Sequence, residues 1–421
     1  MTKDIRQVCE KARTASRSLA LAPEGLKNHF LQILADWLIE HEGEILVANN
    51  QDVHTAKHDG LSDALIDRLT LTPARIHSIS NDVRTVVGIQ DPVGEKFEAQ
   101  TLPNDLRLHK VRVPLGVVAV IYESRPNVTI DVAALALKSG NALILRGGSE
   151  TINSNRALVG GIHTAMREAG LDPAAVQFID DPDRELVSQL LRMHDYVDML
   201  IPRGGAGLHA YCRENSSIPV ITGGIGICHL FVDESADIPR SIQVIHNAKT
   251  QRPTVCNALD TVLVHRSLAT TFIPMLVAEM RKAGVSLRVD SGTFAGLGLQ
   301  PAEDLREAAD GDFDNEWYSL VLGIKVVEGL EEAFAHIAAH STGHSDGILT
   351  ADQENARRFL REVDSAVVYA NASTRFTDGA QLGLGAEVAV STQRLHARGP
   401  MALRELTTYK WVVEGEYHIR S

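Results

Sequence analysis

The stretch Gly116-Val-Val-Ala-Val-Ile-Tyr122 decides the fold, because it begins a regular alternation of strands and helices. It is a short apolar run of the kind found in strands that are buried on both faces. The residues that follow predict a helix over 128–139, ended by Gly140, and a second strand over 142–145. Strands and helices that alternate through short connections predict a parallel sheet covered by helices. The chain is therefore predicted to be an α/β protein.

The pattern extends in both directions from this stretch. On the N-terminal side, apolar side chains recur at helical spacing up to a proline- and glycine-containing break, and residues 106–113 then alternate as an exposed strand or hairpin does. On the C-terminal side the alternation pauses at Thr222-Gly-Gly224 and begins again, which predicts a second domain and a boundary near residue 226. Further strands are predicted at 176–179, 197–201, 230–232, 261–264 and 409–418, and further helices at 149–169, 184–191, 238–248, 268–282 and 330–339.

Composition narrows the classes of function. The chain has 421 residues, which favours two or three domains, and a formal net charge of −13, which argues against general binding to nucleic acid or anionic membranes. The four cysteines form no CxxC pair, so neither a disulfide framework nor a zinc site is expected. Because no apolar run is long enough to span a bilayer and no apolar signal region begins the chain, we expect a cytoplasmic protein.

Cys256 is the best candidate for a reactive group. It lies in the polar, proline-broken loop Asn247-Ala-Lys-Thr-Gln-Arg-Pro-Thr-Val-Cys256, between two apolar segments. Lys249 and Arg252 in this loop would favour the thiolate, which is the nucleophilic form of cysteine. A small buried apolar side chain is the commoner role of a cysteine, and this alternative stays open on the loop alone.

Two glycine-rich turns follow predicted strands and open predicted helices, where backbone NH groups can bind a phosphate. Arg203-Gly-Gly-Ala-Gly-Leu208 partly matches a dinucleotide-binding pattern, but no acidic residue follows at the spacing expected for a ribose ligand. Arg146-Gly-Gly-Ser-Glu150 ends the second strand, and its arginine suits a ribose 2′-phosphate better than a free hydroxyl. A tight turn at the first site and a solvated charge at the second are the alternatives.

Asn127 follows the first strand, at the end of Glu123-Ser-Arg-Pro-Asn127. Its side chain could cap the predicted helix, which is the more frequent role of an asparagine at this position. It could also present its amide to a developing oxyanion. Both roles are compatible with the sequence.

Several classes of enzyme lack their motifs in this chain. His340 and His344 have the spacing of a zinc-protease pair, but the first is not followed by a glutamate. No phosphate-binding loop of the ATPase type and no serine-hydrolase motif is present. We therefore expect no metal site.

Motifs in chain order resemble the aldehyde dehydrogenase superfamily, and others are similar to the branch of it that reduces L-glutamyl 5-phosphate. The similarity covers nearly the whole chain. The superfamily motifs are Pro114-Leu-Gly-Val-Val-Ala-Val-Ile121, Lys138-Ser-Gly-Asn-Ala142, Leu145-Arg-Gly-Gly148, Ile221-Thr-Gly-Gly224, Cys256 and Glu316-Trp-Tyr318. The branch motifs are Tyr122-Glu-Ser-Arg-Pro-Asn127, Ile201-Pro-Arg-Gly-Gly205, Lys249-Thr-Gln-Arg-Pro-Thr-Val-Cys256 and His396-Ala-Arg-Gly-Pro-Met401.

The resemblance implies an aldehyde dehydrogenase-like fold with two doubly wound parallel-sheet domains and a small β element for oligomerisation. A homo-oligomer, either a dimer or a tetramer, is expected from that element. The implied domains are an NADP-binding domain at 1–97 and 116–226 with part of 369–404, a catalytic domain at 227–368 that carries Cys256, and oligomerisation strands at 98–115 and 405–421.

The resemblance also implies roles for single residues. Cys256 corresponds to the nucleophile, and Asn127, with the backbone NH of Cys256, corresponds to the oxyanion hole. Arg146 replaces a lysine on the adenosine ribose and Ser149 replaces the glutamate of NAD-preferring members, and both changes point to NADP(H). Glu316 corresponds to the glutamate on the nicotinamide ribose, although Tyr318 departs from the usual phenylalanine. Further candidates are Gly147, Gly148, Gly204, Gly205 and Gly223 for the cofactor, and Arg125, His396 and Arg398 for the substrate.

The implied reaction is the NADPH-dependent reduction of L-glutamyl 5-phosphate to L-glutamate 5-semialdehyde through a thioester on Cys256. This is a step of proline biosynthesis from glutamate and implies functional coupling to glutamate 5-kinase. Hydrolytic relatives have a water-activating glutamate at the position of Ile221, and an isoleucine cannot act as a base. The alternatives are a CoA-acylating aldehyde dehydrogenase, which also lacks that glutamate, and a non-redox cysteine acyltransferase.

Overall fold

The computed structural model of the chain describes residues 4–223 and 225–420, with the backbone alone at Ala64. Within these residues no helix is both long and apolar enough to cross a membrane. The helices are α1 (Ile5–Leu19), α2 (Glu24–Glu40), α3 (Glu42–His58), α4 (Asp63–Leu69), α5 (Pro73–Gly88), α6 (Asn127–Lys138), α7 (Ile152–Ala169), α8 (Arg184–Leu190), α9 (Ala206–Asn215), α10 (Ile238–Thr250), α11 (Ala269–Lys282), α12 (Ser291–Gly296), α13 (Leu330–His340) and α14 (Gln353–Glu362). The strands are β1 (Lys96–Thr101), β2 (Arg107–Pro114), β3 (Val117–Tyr122), β4 (Ala142–Gly147), β5 (Val176–Phe178), β6 (Met199–Arg203), β7 (Cys228–Val232), β8 (Leu259–His265), β9 (Ser286–Val289), β10 (Leu305–Glu307), β11 (Val321–Val327), β12 (Ser345–Leu349), β13 (Val367–Ala370), β14 (Ala389–Ser391), β15 (Gly399–Met401) and β16 (Thr407–Glu414).

The chain divides into two compact units. Unit 1 comprises the residues up to Gly223, together with Gly383–Ala389 and the chain from Pro400 onwards. Unit 2 comprises the chain that follows Gly223 as far as Leu382, together with Val390–Gly399. The division falls close to the predicted boundary, where the glycine-rich segment interrupts the alternation of strands and helices.

Unit 1 contains a parallel four-stranded sheet in the order β5-β4-β3-β6. All six residues of β3 are buried, as the apolar run predicts. The sharp entry into β3 requires glycine at position 116, where φ is 126° and a Cβ would lie 2.1 Å from Oδ2 of Asp198. The same carboxylate accepts a hydrogen bond from the backbone NH of Val117 at 2.7 Å, which ties β3 to the residue before β6.

Unit 2 contains a parallel seven-stranded sheet in the order β10-β9-β11-β8-β7-β12-β13. Successive side chains of a strand point to opposite faces, and here they enter two different cores. Leu230 and Val232 of β7 pack with residues of α10, α11 and α12, whereas Phe231 packs with α13 and α14. The sheet is therefore covered on both faces, which confirms the doubly wound α/β prediction.

β1, β2 and β16 form a separate antiparallel sheet in that order. β16 pairs with β2 along its length, beginning with Thr407 opposite Pro114. Tyr409 and Trp411 of β16 are 47% and 52% exposed. The alternating segments near residues 106–113 and at the C-terminus are thus neighbouring strands of one sheet.

Several predicted bounds differ from the structure by a few residues; the C-terminal strand, predicted at 409–418, spans Thr407–Glu414. Two of the differences have a clear local cause. The strand predicted at 197–201 is β6, which begins at Met199, because the NH of Val197 bonds the carbonyl of Met193 in a turn. The helix predicted from 149 begins with a 3₁₀ turn over Ser149–Thr151, in which the NH of Thr151 bonds the carbonyl of Gly148.

Candidate active site

The candidate nucleophile lies at the amino-terminal edge of the sheet of unit 2. Cys256 stands in the loop between α10 and β8, while Gly226 precedes β7 and Glu316 precedes β11. Because β7, β8 and β11 are parallel neighbours, the loops before them meet at one edge of the sheet. The fold therefore gathers three motifs that lie far apart in sequence.

Cys256 is the one accessible cysteine among the four. Cys9, Cys212 and Cys228 are buried, whereas Cys256 is partly exposed. Burial raises the pKa of Cys9 to about 12 and that of Cys212 to about 11, so both remain thiols at neutral pH. Because Cys256 is partly exposed, it is not the buried apolar side chain that the loop sequence left open as an alternative.

The backbone carbonyl of Cys256 contacts Gly226, which precedes β7, and Cys228, the first residue of β7. A Cβ on Gly226 would lie 1.7 Å from the carbonyl oxygen of Cys256, so only glycine fits there. The thiol of Cys228 donates to that same oxygen, with Sγ at 3.3 Å. Burial raises the pKa of Cys228 well above its usual value, which keeps this group protonated as a donor.

Asn257 anchors the other side of the nucleophile loop. Its side-chain amide donates to the carbonyl of Thr377 at 2.8 Å, and its own carbonyl accepts from the hydroxyl of Thr374 at 2.7 Å. A segment more than a hundred residues away in sequence therefore fixes the residue next to Cys256. The sequence offers no periodic signal for this contact.

Lys249 is buried and paired with a carboxylate. Its side chain is fully buried in α10, and its ammonium lies 3.4 Å from a carboxylate oxygen of Asp260. Burial lowers the pKa of Lys249, and Asp260 opposes that shift. Support of the Cys256 thiolate by Lys249 therefore stays a prediction.

Glu316 is buried beside the loop that carries Gly226. Burial raises the pKa of its carboxyl, while Tyr318 and the backbone of Gly226 act in the opposite direction. Tyr318 has a φ of 49°, in the left-handed region that residues with a side chain seldom adopt. Strained backbone of this kind concentrates at functional sites.

The predicted substrate residues of unit 2, His396 and Arg398, lie in its segment Val390–Gly399. The guanidinium of Arg398 donates through Nη1 to Oδ1 of Asp364 at 2.6 Å, and its Nε is buried with no acceptor among the described residues. His396 is exposed. Arg398 is thus partly neutralised by a carboxylate of its own unit.

Arg146 lies at the carboxyl end of β4 in unit 1 and is buried. Its Nη1 and Nη2 donate to the carbonyls of Gly147 and Pro182, at 2.7 and 2.9 Å. Its Nε is buried and finds no acceptor in the part of the chain that is described. Burial lowers the pKa of Arg146, and nearby Glu150 opposes the shift.

Both glycine turns of unit 1 contact a glutamate side chain. Oε2 of Glu123, which follows β3, accepts from the NH of Gly205 at 3.0 Å, so the N-terminus of α9 already holds a carboxylate. A Cβ on Gly204 would lie 2.3 Å from that same oxygen. Glu150 likewise accepts from the NH and hydroxyl of Ser124 at 2.6 and 2.8 Å. An anion at α9 would therefore have to displace Glu123.

Asn127 does not cap its helix, so the capping prediction is wrong. The N-cap is Pro126, which has an αR backbone, and Asn127 is the first residue of α6. Since Asn127 is already helical, its amide reaches one turn along the helix and donates to Oδ2 of Asp131 at 2.8 Å. Burial raises the pKa of Asp131 to about 7, and the bond from Asn127 opposes that shift.

The remaining candidates of unit 1 lie in connecting segments: Arg125 follows β3, Ser149 follows β4, and Ile221 and Gly223 follow α9. Arg125 is partly buried, and its carbonyl accepts from the NH of Val128. Ile221 is buried, and its NH donates to the carbonyl of Leu200 at 2.9 Å. Gly223 is partly buried and Ser149 exposed, whereas Gly224 lies outside the described residues.

Known proteins are similar to this chain over nearly its whole length. The aldehyde dehydrogenase family matches residues 1–298. A γ-glutamyl phosphate reductase of Photobacterium profundum is 56% identical over 417 residues, which is 99% of this chain and 100% of that protein. One from Roseiflexus castenholzii is 55% identical over 422 residues, with the same coverage.

Solved structures show the same relationship. The crystal structure of γ-glutamyl phosphate reductase from Thermotoga maritima matches with a TM-score of 0.96 and 46% identity over 100% of both chains. An acetylating aldehyde dehydrogenase from Geobacillus thermoglucosidasius matches with a TM-score of 0.72 at 19% identity, covering 99% of this chain and 97% of that one, and shares the fold alone. This chain therefore belongs to the γ-glutamyl phosphate reductases, within the aldehyde dehydrogenase family.

Proposed function

We propose that this chain reduces L-glutamyl 5-phosphate to L-glutamate 5-semialdehyde, releasing phosphate, in proline biosynthesis. The observation that carries the proposal is Cys256, the one accessible cysteine, in a loop locked on both sides. Full-length relatives that are γ-glutamyl phosphate reductases support this substrate. A thiol nucleophile suits an acyl phosphate, because phosphate leaves readily and acylation needs no strong general acid.

Acylation joins Cys256 to the glutamyl group. The thiolate attacks the acyl carbon, the bond from that carbon to the phosphate oxygen breaks, and phosphate leaves with the electron pair and takes up one proton. A thioester remains on Cys256. Ile221 has no basic atom, which supports a thioester that is not hydrolysed through this position.

Reduction converts the thioester to the aldehyde. A bound nicotinamide cofactor would supply the hydride that the thioester carbon accepts. The Asn127 amide and the backbone NH of Cys256 would stabilise the oxyanion, and each such donor is worth about 3–4 kcal/mol in comparable sites. The carbon–sulfur bond of the thiohemiacetal then breaks, which releases the semialdehyde and restores the thiolate.

The aldehyde dehydrogenase fold implies a nicotinamide cofactor, and we propose NADPH. The carboxyl edge of a doubly wound sheet is where such cofactors bind. The buried Nε of Arg146, which no described residue satisfies, fits an anionic partner such as a ribose 2′-phosphate. Gly147, Gly148 and Ser149 beside it, with Gly204, Gly205 and Gly223, would hold the rest of the dinucleotide, and Glu316 would bind the nicotinamide ribose.

The glutamyl end carries a carboxylate and an ammonium group, so charged residues should bind it. Arg125, His396 and Arg398 are the proposed substrate residues. The buried Nε of Arg398 supports a further anionic partner besides Asp364. Transfer of the acyl group to CoA is not favoured, since the full-length relatives at 55–56% identity are γ-glutamyl phosphate reductases.

We further propose a homo-oligomer, a dimer or tetramer, built on the sheet of β1, β2 and β16. The half-exposed aromatic side chains of Tyr409 and Trp411 support an interface there. We propose functional coupling to glutamate 5-kinase because the acyl phosphate is labile. We propose a cytoplasmic location because the thiol of Cys256 must stay reduced.

The reaction is best tested in reverse. The protein is mixed with glutamate 5-semialdehyde, NADP⁺ and inorganic phosphate, and the absorbance of NADPH is followed. We expect NADPH to form beyond one equivalent per protein chain only when phosphate is present. Formation at the same rate without phosphate, or no formation, would reject the proposed function.

A further inference from the structure

A second arginine is built onto the nucleophile loop of unit 2, and no motif pointed to it. Arg375 lies in a short 3₁₀ turn, Thr374–Phe376, and is partly buried. Its Nε donates to Oε1 of Gln251 at 3.0 Å. Gln251 begins the loop that leads to Cys256, so the guanidinium is fixed at the start of that loop.

The backbone of the same turn is fixed at the other end of the loop. Asn257, the neighbour of Cys256, donates from its side chain to the carbonyl of Arg375 at 3.4 Å as well as to that of Thr377. The hydroxyl of Thr374 returns a bond to the carbonyl of Asn257. Arg375 is thereby held against the nucleophile loop by contacts on both sides of Cys256.

A second arginine influences this guanidinium. Burial lowers the pKa of Arg375, and the charge of Arg252, which is exposed in the same loop, lowers it further, whereas Cys256 and Asp378 act in the opposite direction. Like charges held together by a rigid frame are stabilised when an anion binds between them. A guanidinium is well suited to phosphate, because it offers paired donors in one plane.

We infer that Arg375, with Arg252, forms the subsite that binds the phosphoryl group of the acyl phosphate next to Cys256. This rests on the proposed function and names a residue for it. In acylation the two guanidinium groups hold the phosphate as the bond from the acyl carbon to its oxygen breaks. In the reverse reaction they hold the inorganic phosphate that attacks the thioester.

The position beside the nucleophile favours the phosphoryl group over the glutamyl α-carboxylate. A reacting sulfur and acyl carbon must approach to about 3–3.5 Å, and the phosphate is bonded to that carbon through one oxygen. The α-carboxylate lies at the far end of the glutamyl chain. A charge beside Cys256 is therefore placed for the leaving group.

The test is steady-state kinetics in the reverse direction with inorganic phosphate varied. Arg375→Ala should raise the KM for phosphate at least about tenfold, since a charged bond to phosphate is lost, and leave the KM for semialdehyde unchanged. Arg375→Lys keeps the positive charge and should therefore recover part of the lost affinity for phosphate. Such a recovery would show that the effect in Arg375→Ala comes from the lost charge and not from misfolding. Arg266→Ala is the matched control, since Arg266 is exposed and pairs with Glu328.

An unchanged KM for phosphate in folded Arg375→Ala would overturn the inference, as would a rise confined to the KM for semialdehyde. A second readout does not depend on turnover: phosphate should slow the alkylation of Cys256 in the unaltered protein and not in Arg375→Ala. Absence of this protection in the unaltered protein would also overturn the subsite. Protection without phosphate-dependent turnover would keep the subsite and reject the proposed function.

Discussion

The two sheets of this protein place their candidate site residues at opposite edges. In unit 1, Glu123, Gly147 and Arg203 stand at or just after the carboxyl ends of β3, β4 and β6. In unit 2, Cys256 and Glu316 precede the amino ends of β8 and β11. Doubly wound sheets bind nucleotides at the carboxyl edge, and only the candidate residues of unit 1 lie at that edge.

The hydrogen bonds at the two edges also differ. In unit 1 the carboxylates of Glu123 and Glu150 accept from the backbone NH groups of Gly205 and Ser124. In unit 2 the guanidinium of Arg375 donates to Gln251, at the start of the nucleophile loop. The difference teaches that the general rule for the fold predicts where a cofactor would bind, whereas the position of the candidate nucleophile depends on contacts particular to unit 2.

The largest expected effect is the loss of turnover when the proposed nucleophile of unit 2 is removed. Cys256→Ala removes the proposed nucleophile, and removal of such a group lowers turnover by at least about a thousandfold. The measurement is the phosphate-dependent rate of NADPH formation. Cys212→Ala in unit 1 is the matched control, since Cys212 is buried in α9, and it should retain activity. Full activity in Cys256→Ala would show that Cys256 is not the nucleophile and that unit 2 does not carry the reacting thiol.

The next effect tests how the nucleophile is held. Gly226→Ala would place a Cβ 1.7 Å from the carbonyl oxygen of Cys256, so the loop must shift. A displacement of about 1 Å can lower turnover about a hundredfold, and we expect a loss of that order in the rate of NADPH formation.

Gly160→Ala is the matched control for that variant. Gly160 lies inside α7, nothing lies within 4 Å of its added Cβ, and alanine is the better helix former by about 1 kcal/mol. We expect a small rise in the free energy of unfolding and unchanged activity. Equal activity in both variants would show that the contact with Gly226 does not position Cys256.

A smaller effect tests the cofactor side. Arg146→Ala should raise the KM for NADP⁺ by about tenfold through the loss of a charged bond to phosphate, and leave the KM for NAD⁺ unchanged. The two cofactors are compared in the same phosphate-dependent assay. A parallel rise for both would mean that Arg146 supports the turn through its bonds to Gly147 and Pro182 rather than selecting the cofactor.

The smallest effect concerns stability rather than turnover. The pKa of Asp131 is raised to about 7, from 3.8, by burial, so between these values the folded state holds a proton that the unfolded state has lost. Stability from this group is therefore present at low pH and falls as the pH rises towards 7. Asp82 and Arg203 face the same carboxylate with opposite effects on its pKa.

Asp131→Asn should remove this decline. Urea unfolding at pH 5 and pH 8 measures it, as the difference in the free energy of unfolding between the two values for each protein. An identical difference in the variant and the unaltered protein would show that Asp131 does not titrate in this range.

Much of the fold was predictable from sequence because it rests on local periodicity. The apolar run of β3 and the alternating segments that became β2 and β16 follow directly from side-chain patterns. Two helix and strand bounds were misplaced, at Ser149 and Val197, because each lies in a turn whose conformation depends on one hydrogen bond. Such bonds leave no periodic trace.

The site was predictable only where a motif carried it. Cys256 was found because its loop is polar and proline-broken, whereas the sequence does not show that Asp260 lies beside Lys249 in the core. Asn127 was expected to cap a helix whose N-cap is Pro126. Arg375 could not be found, since only the folded chain brings its turn to Cys256.

The most direct test is to trap the thioester. The protein is incubated with glutamate 5-semialdehyde and NADP⁺ without phosphate, and its peptides are then measured by mass spectrometry. A glutamyl adduct on the peptide that contains Cys256, discharged when phosphate is added, is the predicted result. An adduct on another residue, or none in a protein that turns over with phosphate, would contradict the account.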